Sequence, residues 1–246
     1  MRIAAAILLL CAACQAGVTN FVACRQGVDS NAAWVNEQVP TNQWSDLKLW
    51  MPFPSASGLT NDYSTSKSAC ASVGAVWDSG ACRVTNAQYV TVGAGGAYEY
   101  ASGDFTVTAW FNNTNAAAGA AIMDCRDDND DGWRVVTVGL GIYVSANTVD
   151  ATAFASYTYG NWTHVAATFD RDSVLTIYVD GAQVGSTPDI SAQTFSTSVA
   201  LCAGAMSYGG ARVGVGGWLD DMRIYSRALT APEVGAIYTN TVGAHP

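Results

Sequence analysis

The sequence predicts an all-β fold, a two-sheet antiparallel β-sandwich of the jelly-roll type with one short C-terminal helix. Three observations predict it. Short segments alternating apolar and polar residues recur from residue 47 onward, 24 glycines separate them, and only one segment carries a helix-start signature. No internal repeat of fixed period is present, which argues against propellers and solenoids.

Residues 1–16 combine a basic start at Arg2, an apolar run over Ile3–Ala13 and small residues at the end. The run falls short of the ~20 residues that span a bilayer but has the length of a signal-peptide core. Export to the extracellular space or cell surface is therefore expected. Leu10-Cys11-Ala12-Ala13-Cys14 also resembles a bacterial lipoprotein signal, in which case Cys14 would be lipidated and the membrane touched only through that anchor. Residues 17–46 carry Gln26, Asn31, Asn36, Gln38, Asn42 and Gln43 with little periodicity and read as an N-terminal arm or linker. Strand candidates follow in a main domain over residues 47–240: LKLWMPF (47–53), Tyr89–Val92, Phe105–Phe111, Trp133–Gly139, Gly141–Ser145, Trp162–Phe169 and Val174–Val179. Within 105–111, Phe105, Val107, Ala109 and Phe111 alternate with Thr106, Thr108 and Trp110. Asp180-Gly181 predicts a tight hairpin, because glycine supplies the positive φ that a primed turn requires. Val199–Ala203, Ala211–Gly214 and Trp218–Tyr225 complete the strands. Strict alternation in the last puts Trp218, Asp220, Met222 and Ile224 on one face and Leu219, Asp221, Arg223 and Tyr225 on the other. Thr230-Ala231-Pro232-Glu233 is a capping box, and Val234, Ile237 and Tyr238 form the apolar stripe of the helix it opens. Residues 241–246 read as a tail.

Charged residues are 13% of the chain, about half the usual ~25%, and 50% hydrophobic content excludes intrinsic disorder. With 20 acidic and 11 basic residues the net charge is −9, and Lys48 and Lys67 are the only lysines, which argues against nucleic acid and anionic membranes as partners. Of seven cysteines, Cys11 and Cys14 fall in the leader. In an oxidising compartment Cys70 and Cys82, bracketing a short stretch with a turn signal at Asp78-Ser79-Gly80, are expected to form a local disulfide. Cys125 and Cys202 are a candidate long-range pair, leaving Cys24 odd. No CxxC follows the leader, so a zinc site is not expected.

Three stretches, Asp104–Trp110, Trp162–Gly181 and Gly217–Leu229 followed by Glu233, resemble the laminin-G-like, concanavalin A-like jelly-roll domains. Leu49–Phe53 and Asp62-Tyr63-Ser64 look like that family's first strand and loop, so the resemblance covers about residues 47–240. It implies a fold that hosts lectins, adhesion modules, glycosidases and lyases alike. Members often carry calcium at the sandwich rim, which implicates Asp62, Asp220 and Asp221. Separately, Asp127, Asn129 and Asp131 before Gly132 match the first half of a calcium loop, while Val138 stands where an EF-hand needs glutamate. A solvated hairpin tip is the alternative there, and an Arg223–Asp221 ion pair is the alternative at Asp221.

His164, between apolar neighbours, reads as a hydrogen-bonded core or edge residue. A glycosidase needs two facing carboxylates about 5–9 Å apart. Outside the arm the glutamates are Glu99 and Glu233, with Glu37 inside it, and none stands in such a pattern. Asp170 and Asp172 read as a turn. Loop aromatics Trp133, Tyr157, Tyr159 and Tyr208 are the candidate sugar-stacking residues. The expected function is an exported, non-catalytic module binding carbohydrate or a protein partner, with calcium as the candidate cofactor. The rivals are a self-associating structural or decoration subunit of a virion or surface assembly, and a polysaccharide hydrolase or lyase.

Overall fold

The computed structural model describes residues 22–25, 35–38, 45–85, 87–100, 102–114, 120–129, 131–147, 149–151, 156–193, 195–206 and 216–245. In the arm, β1 (Val22–Arg25) pairs antiparallel with β2 (Val35–Gln38). The main domain stacks two antiparallel sheets. One has seven strands in the order β12 (Val149–Ala151), β11 (Gly141–Ala146), β10 (Gly132–Val138), β9 (Ala120–Arg126), β16 (Leu201–Ala203), β7 (Tyr89–Val92), β4 (Cys70–Val73). The other has eight. Seven run in the order β15 (Ala182–Asp189), β14 (Val174–Val179), β13 (Thr163–Phe169), β8 (Phe105–Asn113), β17 (Gly217–Tyr225), β6 (Ala81–Val84), β5 (Val76–Asp78). The eighth, β3 (Leu47–Met51), pairs with the second half of β17, whose first half pairs with β6.

The main core lies between the sheets. Phe105, Val107, Ala109 and Phe111 of β8 all point into it, as the alternation predicts, and Phe105 stacks on Phe169 with ring centroids 4.0 Å apart. The opposite face of β8 is buried as well, because helix α1 (Ala231–Thr241) lies across the outside of the eight-stranded sheet. A second apolar cluster forms there from Trp50, Ala166, Tyr178, Tyr225, Leu229, Val234 and Ile237. Burying a side chain of Val or Ile size contributes about 1.5–3 kcal/mol, so Val234 and Ile237 dominate the hold of the helix on the sheet. Arg227 fixes its start, donating Nε to Asp46 at 2.8 Å and forking onto Glu233 at 2.9 and 2.6 Å. Glu233 in turn accepts the Thr230 N–H at 2.9 Å. The Asp180-Gly181 turn has positive φ at both residues (48° and 76°), as its sequence predicts. Gly181 is also required there: a Cβ would meet the Tyr238 ring at 3.0 Å.

Two expectations are corrected. In β17, Leu219, Met222 and Ile224 share the main core, not the pairing that strict alternation gives. A bulge is responsible: Asp220 faces Trp110 and Arg223 faces Thr108, so two residues oppose Ala109, and Asp221 sits at φ 43°. The extra residue resets the parity and leaves Asp220 and Arg223 together on the outer face.

The expected disulfides are absent too, and Cys70, Cys82, Cys125 and Cys202 are free thiols. The chain crosses from one sheet to the other between β4 and β5, so Cys70 and Cys82 lie in different sheets, and the Ser79-Gly80 turn closes only β5 on β6. Cys202 stands opposite Asp124, one residue from Cys125. Because neighbours on a strand face opposite ways, Cys125 enters the core while Cys202 points out of it.

Candidate functional site

After β3 the chain turns through Pro52 and Phe53 into a 3-10 turn over Ala56–Thr60, and then runs through an exposed loop to β4. Asp62 ties this loop down. Its Oδ1 accepts the N–H groups of Trp50 (3.0 Å) and Ser64 (2.8 Å), and its Oδ2 accepts that of Ser68 (2.8 Å). Tyr63 donates its own N–H to the Trp50 carbonyl at 2.8 Å, and its ring meets the Trp50 indole edge-on with centroids 6.4 Å apart. The result is a cleft of about 350 Å³ lined by Thr60, Asn61, Asp62, Tyr63, Lys67 and Ser68. Tyr63 is half-buried there, its back on Trp50, while Thr60, Asn61 and Lys67 are exposed. The Lys67 ammonium stands 6.0 Å from the Tyr63 ring centroid. Ser68 Oγ bonds the Tyr98 hydroxyl at 2.6 Å, and burial pushes that phenol well above its usual range, so it stays neutral. With the Asp62 carboxylate held by three backbone donors, the cleft offers an aromatic face beside an ammonium, an amide and a hydroxyl.

Tyr63 and Lys67 escape sequence reasoning, which singled out their neighbour Asp62. The available signal was Asp62 two residues before Ser64, a spacing at which aspartate caps a turn and fixes the residue between. Of the expected aromatics, the structure moves Trp133 out of contention: it is wholly buried between the sheets and donates its indole N–H to the Tyr98 carbonyl at 2.8 Å. Tyr157 is buried too, its hydroxyl donating to the Gly139 carbonyl at 3.1 Å and accepting from Asn113 at 2.8 Å. Trp133 enters the core from β10 and Tyr157 from the loop before β13. Tyr159 packs edge-on against Tyr157 and is half-buried, with its hydroxyl on the same carbonyl at 3.0 Å. Tyr208 and Cys14 lie outside the described residues.

Asp220 and Asp221 belong to a buried polar cluster under α1. Asp221 Oδ1 accepts the Trp50 indole N–H at 2.8 Å and Arg223 Nε at 2.9 Å, and its Oδ2 accepts Arg223 Nη2 at 2.7 Å. That ion pair is 0% and 1% exposed. Asp220 takes the Asp221 N–H at 2.9 Å on one oxygen and meets His245 Nε2 at 2.7 Å on the other. The other His245 nitrogen faces the Thr241 carbonyl at 3.0 Å. The His245 ring stacks on Trp110 at 4.4 Å, and Trp110 donates to the Thr241 hydroxyl at 2.9 Å.

His164 lies on the other side of Trp110, 1% exposed, and neither ring nitrogen has a hydrogen-bond partner, contrary to the expectation of a hydrogen-bonded residue. Burial depresses its pKa to about 3 from 6.5, so it is neutral at physiological pH.

The carboxylates singled out as calcium ligands are engaged by protein groups. At Asp221 the Arg223 guanidinium holds both oxygens, and at Asp220 the His245 ring meets one of them. Asp62 has three amides on its two oxygens. In the β9–β10 turn, Asp127 Oδ1 accepts the N–H groups of Asn129 and Asp131 at 2.9 and 3.1 Å, which closes the turn on itself. Among the described residues no three His, Cys, Asp or Glu side chains gather as a metal site. Asp170 likewise caps its turn, accepting the Asp172 N–H at 3.2 Å.

No curated protein matches the chain. Solved structures do. The binding domain of botulinum neurotoxin DC, solved with rat synaptotagmin II, superposes with TM-score 0.65 at 13% identity over 80% of this chain and 52% of that one. A botulinum neurotoxin type C structure, whose title ties cell entry to two ganglioside molecules, gives 0.65 at 13% over 80% and 52%. This chain thus spans about half the length of the toxin domains. Domain 4 of AbnA, an extracellular arabinanase from Geobacillus stearothermophilus, solved with arabinotriose, gives 0.61 at 14% over 78% of this chain and 98% of that one. At these identities the likeness is one of fold. The laminin G profile described as the Concanavalin A-like lectin/glucanases superfamily matches residues 84–235, more than half of the chain, and places this protein in that family.

Proposed function

We propose that the chain is an exported, non-catalytic carbohydrate-binding module, with the cleft over residues 60–68 as its sugar site. The observation that carries this reading is the Tyr63 ring, backed by Trp50 and rimmed by Asn61, Lys67 and Thr60. A pyranose ring has an apolar face that stacks on an aromatic and an equatorial belt of hydroxyls that needs both donors and acceptors. The Asn61 amide and Thr60 hydroxyl supply both, and Lys67 adds donors. Support comes from the solved structures of this fold whose titles name gangliosides and arabinotriose. A binding rather than catalytic role is supported by the fate of the carboxylates: Glu233 is engaged by Arg227, and Asp170 caps a turn. In this reading calcium takes no part.

A glycan array probed with the full chain, followed by titration of the best hit, tests the reading. Tyr63→Ala is expected to weaken that hit at least tenfold while circular dichroism and melting stay near wild type. Unchanged affinity in the variant, or release of reducing ends from a polysaccharide, would overturn it.

A further inference from the structure

We infer that the C-terminal half of α1, with residues 242–245, is a clasp that opens when His164 takes a proton, uncovering the aromatic outer face of the eight-stranded sheet. The clasp is fastened at two points of different kinds. At its start, the Arg227–Glu233 fork is partly exposed and involves no residue of the far end. At its end, His245 seats on Asp220 and stacks on Trp110, and Trp110 donates to Thr241. Between these points α1 buries Val234, Ile237 and Thr241. That is a small apolar hold beside the extensive core between the sheets, so this segment can open while the sandwich persists.

His164 lies under the clasp, its ring 5.3 Å from Trp110 and 6.0 Å from Tyr238 of α1. Both nitrogens lack partners, and the neighbouring Thr108 hydroxyl on β8 is also buried without one. Buried polar groups without partners are costly, and these become satisfied when water enters. The groups around the imidazole leave a second proton no counter-ion. From β17 come Asp220, Asp221 and Arg223. From β14 and the turn after it come Tyr178 and Asp180, the latter exposed and bonded to the His164 backbone N–H at 2.9 Å. The clasp itself contributes Tyr238 and His245, and β8 contributes no charge. Asp221 is already paired with Arg223 and Asp220 bonds the His245 ring, so a protonated His164 would have no carboxylate of its own.

The sign follows from linkage. Closed, the ring titrates near 3; open, it reaches water and titrates near its ordinary 6.5. The contribution of His164 to closure is therefore complete above about pH 6.5, and through this group the open-to-closed ratio rises about tenfold for each pH unit below it.

Hydrogen exchange of the full chain at pH 7.5 and 5.0, corrected for intrinsic rates, tests the inference. Amides over residues 234–245 are expected to lose protection about 30-fold, the ratio expected for 1.5 pH units, while those of β8 and β13 hold. In His164→Phe the pH response should disappear. Loss of protection in step with β8, an unchanged response in the variant, or no response in wild type would each overturn the clasp. Should the variant fail to fold, the His164 ring resonance of the wild type decides. A midpoint near 6.5 with 234–245 still protected overturns the inference, and titration that tracks their exposure upholds it.

Discussion

The Asp221–Arg223 pair offers the sharpest energetic test of the bulge in β17. Both side chains are essentially sealed from solvent, and the guanidinium forks onto the carboxylate at 2.9 and 2.7 Å. At a separation near 4 Å and an effective dielectric of about 20, the attraction is about 4 kcal/mol. Removing one charge leaves the other buried beside the Trp50 ring, and such single losses cost about 3–5 kcal/mol. Asp221→Asn is the suitable perturbation: asparagine keeps the shape, tolerates the φ of 43°, and can still accept the Trp50 indole N–H. Arg223→Met removes the partner with little change in length. Urea denaturation should show each single variant destabilised by about 3–5 kcal/mol. The double variant should be at least about 2 kcal/mol less damaged than the sum, because it buries no lone charge. Singles costing under about 1 kcal/mol, or effects additive within about 0.5 kcal/mol, would refute the claim that this pair closes the bulge.

Further outcomes are expected. Excess calcium and excess EDTA should give the same melting temperature, since the candidate carboxylates are engaged by protein donors; a rise of several degrees with calcium would contradict this. Glu233→Ala should cost about 1–2 kcal/mol at neutral pH, through the lost cap and the fork to Arg227. Glu233 has a folded pKa of about 2 against 4.5, held down chiefly by its bonds to Arg227, so its contribution is present above 4.5 and lost as pH falls toward 2. The wild-type and variant stabilities should therefore converge in acid. Thiol titration of the native chain with a disulfide reagent should find Cys82 unreactive, since burial pushes its pKa to about 12, and denaturant should release it without reductant. A reductant requirement would restore the expected disulfide.

Much of the sandwich was readable from alternation, because both sheets bury one face against the other and period-two patterning follows directly from that. The β8 segment shows why the pattern survives even where both faces are covered: Phe105, Val107, Ala109 and Phe111 fill the larger core, while Thr106, Thr108 and Trp110 face the smaller one, where Thr106 and Trp110 find polar partners. The bulge was not readable. Nothing in Gly217–Tyr225 separates a bulged strand from a regular one until β3 and β6 are seen sharing its edge. The cysteines misled for a related reason. Eleven intervening residues suggest a local clip only if both ends lie in one hairpin, and here they lie on either side of a sheet-to-sheet crossover. The candidate cleft was half visible, since the family resemblance drew attention to Asp62 as a calcium ligand, but what it does is hold backbone amides, and that presents Tyr63.

One residue connects the cleft to the buried cluster. Trp50 donates its backbone N–H to Asp62 and its indole N–H to Asp221, and its ring supports Tyr63. The aromatic floor of the proposed sugar site and the ion pair that closes the β17 bulge thus both touch the Trp50 side chain. This explains why charge is buried where an apolar pair would be simpler to accommodate. A hydrophobic replacement for Asp221 and Arg223 could fill the volume, but it would leave the Trp50 indole without its acceptor and its ring without a fixed orientation. A shift of that ring would pass directly to Tyr63, whose position decides whether a sugar can stack. On this argument Asp221→Leu with Arg223→Met, which removes the indole's acceptor, should bind glycan more weakly than Asp221→Asn with Arg223→Met, which keeps one. Stability and recognition would then separate at a site that contacts no ligand.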